Sequence, residues 1–288
     1  TFNLTKGVGT VIYESPVAQN VLGANYNNLI INNPSTKTLV SNTTIAGLTI
    51  TGGATLASDV YQITCSTSGT PTFFMDANTQ LTLGNPSSSV NVLFPLNPPS
   101  FPNLSLDNSS TVVYQSNANQ TIAPQYYGGV SLSGGGVKAN ISSGITLGGT
   151  LTIDPGTTFA GIYTANLSGN IINNGVYDAT VNSMPTTLYL DAGNQTISGT
   201  GITKFKNLTL SYSPNTASGI AILKKAIQID GNLIFSSDNN YLDLGTSNLT
   251  LNGNASIVGF NIARFIQTTG NYTGGSVFIN GSTPGQYL

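Results

Sequence analysis

A parallel β-helix is the fold this 288-residue chain predicts: an all-β, right-handed β-solenoid with three short strands per coil. Three observations carry that prediction. The composition suits pleated surfaces, a short apolar triplet returns along nearly the whole chain, and a longer motif occurs in three copies.

Charged residues are only 6% of the chain, against roughly 25% in an ordinary soluble domain. Yet 39% of residues are apolar and the mean hydropathy is near zero, so the chain can build a core. Thr, Asn, Ser and Gly replace the missing charge. Thr, Val, Ile, Tyr and Phe fit a half-buried pleated surface, while Asn and Gly tolerate left-handed backbone at corners. Strong helix formers are scarce: Glu14 is the only glutamate and Arg264 the only arginine.

The triplet has the form apolar-x-apolar. It occurs at Leu48-Thr49-Ile50, Leu81-Thr82-Leu83, Leu104-Ser105-Leu106 and Leu151-Thr152-Ile153. It returns at Leu188-Tyr189-Leu190, Leu208-Thr209-Leu210, Leu242-Asp243-Leu244 and Leu249-Thr250-Leu251. Side chains alternate along a strand, so the outer two face inward and the middle one faces solvent. Gly-Gly, Asn-Gly and Asp-Gly steps between them, with Asp154-Pro155-Gly156 and Asp230-Gly231, are turn chemistry. Strands of about three residues are too short for a hairpin sandwich but stack well in a solenoid. Three faces give a coil of about 20 to 25 residues. Some 12 to 14 coils at roughly 4.8 Å would make a rod about 60 Å long.

The long repeats begin near residues 9, 110 and 186. The first runs from Gly9 through Tyr13 and Gln19 to Tyr26, and the second from Ser110 through Tyr114 and Gln120 to Tyr127. The third runs from Thr186 through Leu190 and Gln195 to Phe205. Gln19, Gln120 and Gln195 are expected to pair with backbone at a coil corner. Tyr26, Tyr127 and Phe205 are expected to plug the core with aromatic rings. A Pro-rich stretch at 85–102 interrupts the rhythm as a loop, an edge or an excursion, because proline cannot donate to a ladder. Met184-Pro185 marks a second, milder joint. The whole chain, 1–288, therefore reads as one solenoid segment.

Gly9 to Val21, Tyr26 to Leu39 with its Thr36-Lys37-Thr38-Leu39 step, and Gly47 to Leu56 carry a family resemblance. In that order they resemble the β-helical repeat regions of large secreted surface proteins of Bacteroidota, including type IX secretion cargo and gliding-motility adhesins. Asn215 to Ala226 replaces the Thr-Lys-Thr-Leu step in the third repeat, and the Pro-rich stretch lies outside the pattern. The ending at Gly285-Gln-Tyr-Leu288 carries no recognisable sorting domain, which suggests a piece of a longer polypeptide. The resemblance implies an extracellular, cell-surface location. It also implies a structural or adhesive role, with glycans, other cells, abiotic surfaces and other segments of the same protein as partners.

The chemistry that the residues exclude agrees with this. Without histidine there is no Ser-His-Asp or Cys-His catalysis and no usual zinc site. A carbohydrate-active β-helix enzyme would need clustered carboxylates, and the ten acidic residues are scattered. Asp238 and Asp243 come nearest to a cluster and read as a polar corner rather than a calcium site. An ice-binding solenoid would need Thr aligned over many coils, yet Ser105, Tyr189, Gln228 and Asp243 occupy the same middle position. No catalytic, cofactor-binding or metal-ligating residue is therefore assigned. A net charge of −2 gives no footprint for nucleic acid, and Lys224-Lys225 reads as a solvated turn. No apolar run reaches the roughly 18 to 20 residues that cross a membrane, so no insertion is expected. No charged-then-apolar leader opens the chain, so Thr1 is expected to follow processing or an artificial boundary. Cys65 stands alone and reads as a small buried hydrophobe in a disulfide-free bacterial exterior.

Overall fold

The computed structural model describes residues 9–67, 70–95, 101–140, 144–161, 163–180, 187–212, 219–253, 255–259, 265–267 and 277–280. Met184-Pro185, Arg264, the ending at 285–288 and residues 215–218 of the remodelled step at 215–226 lie outside them. Every regular element among the described residues is a strand, and the strands pair in parallel. The chain is a β-solenoid of about 11 turns with three strands per coil.

One face is a twelve-stranded sheet that runs from Gln19–Val21 to Phe265–Gln267. A second is eight-stranded, from Gln120–Thr121 to Val277–Asn280, and a third is seven-stranded, from Tyr126–Tyr127 to Ser256–Val258. In the first coils a single six-stranded sheet serves for the last two. Asn25–Ile31 and Thr43–Ile50 run straight through, and the halves of Thr43–Ile50 then pair separately with Ile63–Cys65 and Thr72–Met75.

The triplets explain the stack. Leu151-Thr152-Ile153 buries its two aliphatic ends and leaves Thr152 half-exposed. Parallel register then places like on like: Leu29, Leu48 and Phe73 form one inward column, and Ile31, Ile50 and Met75 the next. Each such side chain contributes about 1.5–3 kcal/mol on burial.

Three findings adjust the sequence reading. The turns number about 11 rather than 12 to 14 because some coils are long. Register partners lie 18 residues apart at Gln19 and Lys37 but 31 apart at Gln80 and Thr111. Second, not every middle residue meets solvent: Thr82, Thr209 and Asp243 are buried. Thr209 is flanked in register by the larger Tyr189 and Ile234, which shield it.

Third, the Pro-rich stretch forms no strand in its described part, as its prolines dictate, but it does not leave the stack. Val92, Phe94 and Phe101 are buried in the core. Phe94 stacks on Phe73 at 5.7 Å and meets Tyr127 edge-on at 5.7 Å. Side-chain amides stand in for the missing ladder. Gln62 accepts from Leu93 N–H (3.0 Å) and donates to its carbonyl (2.8 Å), while Gln120 donates to Val92 O (3.0 Å).

The long stretch also turns the second repeat by one face. Gln19 and Gln195 lie in the twelve-stranded sheet, whereas Gln120 lies in the eight-stranded one. The repeat is therefore a property of the corner it builds, not of the face it occupies.

Candidate functional site

The three glutamines act at corners. Their Oε1 atoms accept from Ser15 N (3.1 Å), Ser116 N (3.0 Å) and Ala192 N (2.9 Å). Gln120 and Gln195 also donate to carbonyls of other coils, Leu83 O at 3.2 Å, and Leu167 O and Gly169 O at 2.7 Å. Buried backbone groups must find partners, and these amides supply them where the ladder stops.

Tyr26, Tyr127 and Phe205 are buried as expected. The first two do more than fill space. Tyr127 Oη donates to Ala123 O (2.9 Å) and lies 2.8 Å from Tyr114 Oη, which accepts from Ala123 N (3.4 Å). Because Tyr127 has spent its one proton, Tyr114 donates to it, and a closed hydrogen-bonded ring holds both backbone groups of Ala123. Tyr13, Tyr26 and Leu22 repeat the ring at 3.3, 2.6 and 3.2 Å. Burial drives the Tyr114 and Tyr127 hydroxyls well above the ordinary phenol range, so both stay protonated. In the third repeat Leu190 and Phe205 lose both hydroxyls together. Phe205 instead meets Tyr177 edge-on at 5.0 Å, and Tyr177 lies 4.9 Å from Phe159.

The lysines were not foreseen. Lys37 and Lys138 are wholly buried. Lys37 donates to Ser15 O (2.9 Å) and Asn33 O (3.2 Å), and Lys138 to Ala118 O (2.9 Å) and Ser116 O. Desolvation lowers both amines, Lys138 to about 8. The signal was present in Thr36-Lys37-Thr38-Leu39, where Lys37 shares the inward phase of Leu39. Of the pair read as a solvated turn, Lys224 is exposed, but Lys225 folds back onto Asn173 O (3.1 Å) and Gly201 O. Cys65 is buried, and desolvation raises its thiol.

Many of the carboxylates accept hydrogen bonds, some within a turn and some from a neighbouring coil. Asp107 accepts from Ser109 N (2.8 Å) and Oγ (2.7 Å), Asp178 from Thr180, Asp191 from Ser168, and Asp76 from Thr51 and Ala77 N. Asp243, half of the nearest sequence cluster, accepts from Gly245 N (2.9 Å) and Gln267. Among the described residues no three acidic, Cys or His side chains gather where a cation could sit.

What remains is the surface. On the twelve-stranded face the outward row reads Asn20, Thr38, Ala57, Thr82, Val113, Ser131, Thr152, Ile172 and Ser198, of which Thr82 and Val113 are covered. On the seven-stranded face it reads Tyr126, Thr146, Asn166, Tyr189, Thr209, Ile234 and Val258. Where these faces meet, a groove of about 230 Å³ opens, walled by Asn108, Ser109, Thr111, Thr150 and Thr152 with Gly129 and Gly149 at its base. Register explains it. Outward position 129 is a glycine standing between Thr111 and the coil that carries Thr150. Tyr126, 43% exposed, reaches across Gly148 and donates its hydroxyl to Asn108 Oδ1. A side chain at Gly148 would collide with that hydroxyl.

Comparisons with protein-family models, with curated proteins and with solved structures each return no match.

Proposed function

We propose that this chain is a non-enzymatic, rigid stalk and adhesive face of a bacterial cell-surface or secreted protein. The observation that carries the reading is the unbroken core of stacked inward columns beneath a nearly uncharged surface. Such a rod resists bending because its coils are hydrogen-bonded and packed against their neighbours. Its hydroxyl- and amide-rich faces favour short-range contact over electrostatic steering.

Two features weigh against the rivals. A polysaccharide lyase or hydrolase needs converging carboxylates, and here Asp76, Asp107, Asp178 and Asp191 are each engaged by a separate partner. An ice-binding face needs aligned threonines, and both outward rows above mix Thr with Ala, Val, Ile, Asn and Tyr.

The test is retention of the purified chain on bacterial cells, immobilised glycans and abiotic surfaces, alongside deletion of the segment from its parent protein. Retention on at least one class and weaker attachment by the deletion strain are expected. No retention together with unchanged attachment and motility would overturn the reading.

A further inference from the structure

We propose that the corner beside Tyr126 binds an uncharged saccharide chain, laid along the solenoid axis over Tyr126, Thr146, Asn166 and Tyr189. This deepens the adhesive reading and rests on it.

The platform is built in advance. Tyr126 is exposed, yet its hydroxyl is tied to Asn108 across Gly148, so its ring lies fixed over a position without a side chain. A ring ordered before the ligand arrives costs no rotamer entropy at binding. A large apolar face with a polar tip suits the C–H face of a pyranose, whose hydroxyls then point sideways. Beside it the groove presents the hydroxyls of Thr111, Thr150 and Thr152 and the amide nitrogen of Asn108, while Ser109 Oγ is held by Asp107 and Asn78 N–H. Each hydroxyl donates and accepts, and so matches sugar hydroxyls in either sense.

Charge decides the class of saccharide. No lysine, arginine, aspartate or glutamate lines the groove. The carboxylate next along the chain, Asp107, is held by Ser109 N and Oγ, which keeps it ionised and occupied. A uronate, sulfate or phosphate would find no counter-charge, so a neutral sugar fits best.

The face beside the groove also has a direction. Tyr126, Thr146, Asn166 and Tyr189 are successive register partners on one face, so the two aromatic rings stand three coils apart. At about 4.8 Å per coil that separation is roughly 14 Å. The polar Thr146 and Asn166 lie between them. A ligand that reaches both rings must be an oligomer, and its affinity must grow with length.

The experiment titrates the purified chain with neutral gluco-, manno-, xylo- and galacto-oligosaccharides from the monomer upward, with oligogalacturonate as the charged contrast. At least one neutral series should bind, more tightly as it lengthens. Tyr126→Ala should weaken it about tenfold, or 1.4 kcal/mol. Tyr189→Ala should weaken only the longer members, and Thr152→Val should weaken all of them, each with an unchanged melting temperature. Binding of the acidic series alone, or equal binding by Tyr126→Ala, would overturn the site. If the chain is retained on cells or surfaces while no neutral oligosaccharide binds, the site is refuted and the adhesive reading survives. If nothing is retained at all, both fall.

Discussion

The first and second long repeats use the same parts in different surroundings. Tyr13, Gln19, Tyr26 and Lys37 reappear as Tyr114, Gln120, Tyr127 and Lys138, and both sets close the same ring around one corner residue. Yet Tyr13 and Gln19 are only half-buried, whereas Tyr114 and Gln120 are enclosed. The tyrosine hydroxyls are 3.3 Å apart in the first copy and 2.8 Å in the second. The second copy is packed on the Pro-rich stretch, which delivers Phe94 to Tyr127 and Val92 O to Gln120. The motif fixes the local geometry, and the neighbouring coil sets how much stability that geometry supplies.

Substitutions can break or sharpen this contrast. The largest effect should come from Tyr127→Ala, which empties a fully buried site beside Phe94 and costs about 4 kcal/mol. Tyr26→Ala, in the copy nearer the chain's start, should cost clearly less. Urea unfolding of both variants measures the difference, and equal losses would mean that the Pro-rich stretch adds nothing.

Next is Gln120→Ala. It leaves Leu83 O and Val92 O without their amide and should cost about 2–3 kcal/mol, against about 1 kcal/mol for Gln19→Ala. Hydrogen exchange at Ser116 should rise in parallel.

Smaller still is the hydroxyl pair. Tyr114→Phe should cost about 1 kcal/mol because it leaves Ala123 N and Tyr127 Oη short of a partner. The double variant with Tyr127→Phe should cost less than the two single losses combined, as the third repeat already illustrates with Leu190 and Phe205. Strict additivity in the cycle would deny that the ring acts as a unit.

A further effect is on pH dependence. Lys138 is lowered by desolvation to about 8, below the ordinary lysine value of 10.5. Between those values the unfolded chain binds more protons than the folded one, so stability should rise as pH climbs from about 8 to 10.5. Lys138→Met should flatten that rise. A slope that persists in the variant would place its origin elsewhere.

The fold was legible because a period of two with aliphatic ends, interrupted by Gly and Asn, leaves few alternatives for strands this short. The corner roles of Gln120 and Gln195 and the burial of Tyr127 followed from the same pattern. The coil count did not, since nothing local tells how much chain the Gln80-to-Thr111 coil absorbs. The inward return of Phe94 was hidden because prolines report on ladder hydrogen bonds, not on where apolar side chains go. Lys37 and Lys138 were overlooked because a lysine suggests solvent, although the phase of Leu39 pointed inward. The groove was illegible for a deeper reason. Asn108, Tyr126, Gly129 and Thr152 are neighbours only through the register of three coils, which no single stretch of sequence specifies.

Cross-linking tests the central claim, that successive coils stack in parallel register. In a Cys65→Ser background, Thr146→Cys with Asn166→Cys joins direct register partners on adjacent coils. That spacing suits a disulfide, whose Cα atoms lie about 4.4–6.8 Å apart. Mild oxidation should link this pair rapidly and leave Thr146→Cys with Thr152→Cys unlinked. The opposite result, a fast bond from 146 to 152 across the Gly148-Gly149 step, would reveal an antiparallel hairpin and contradict the solenoid.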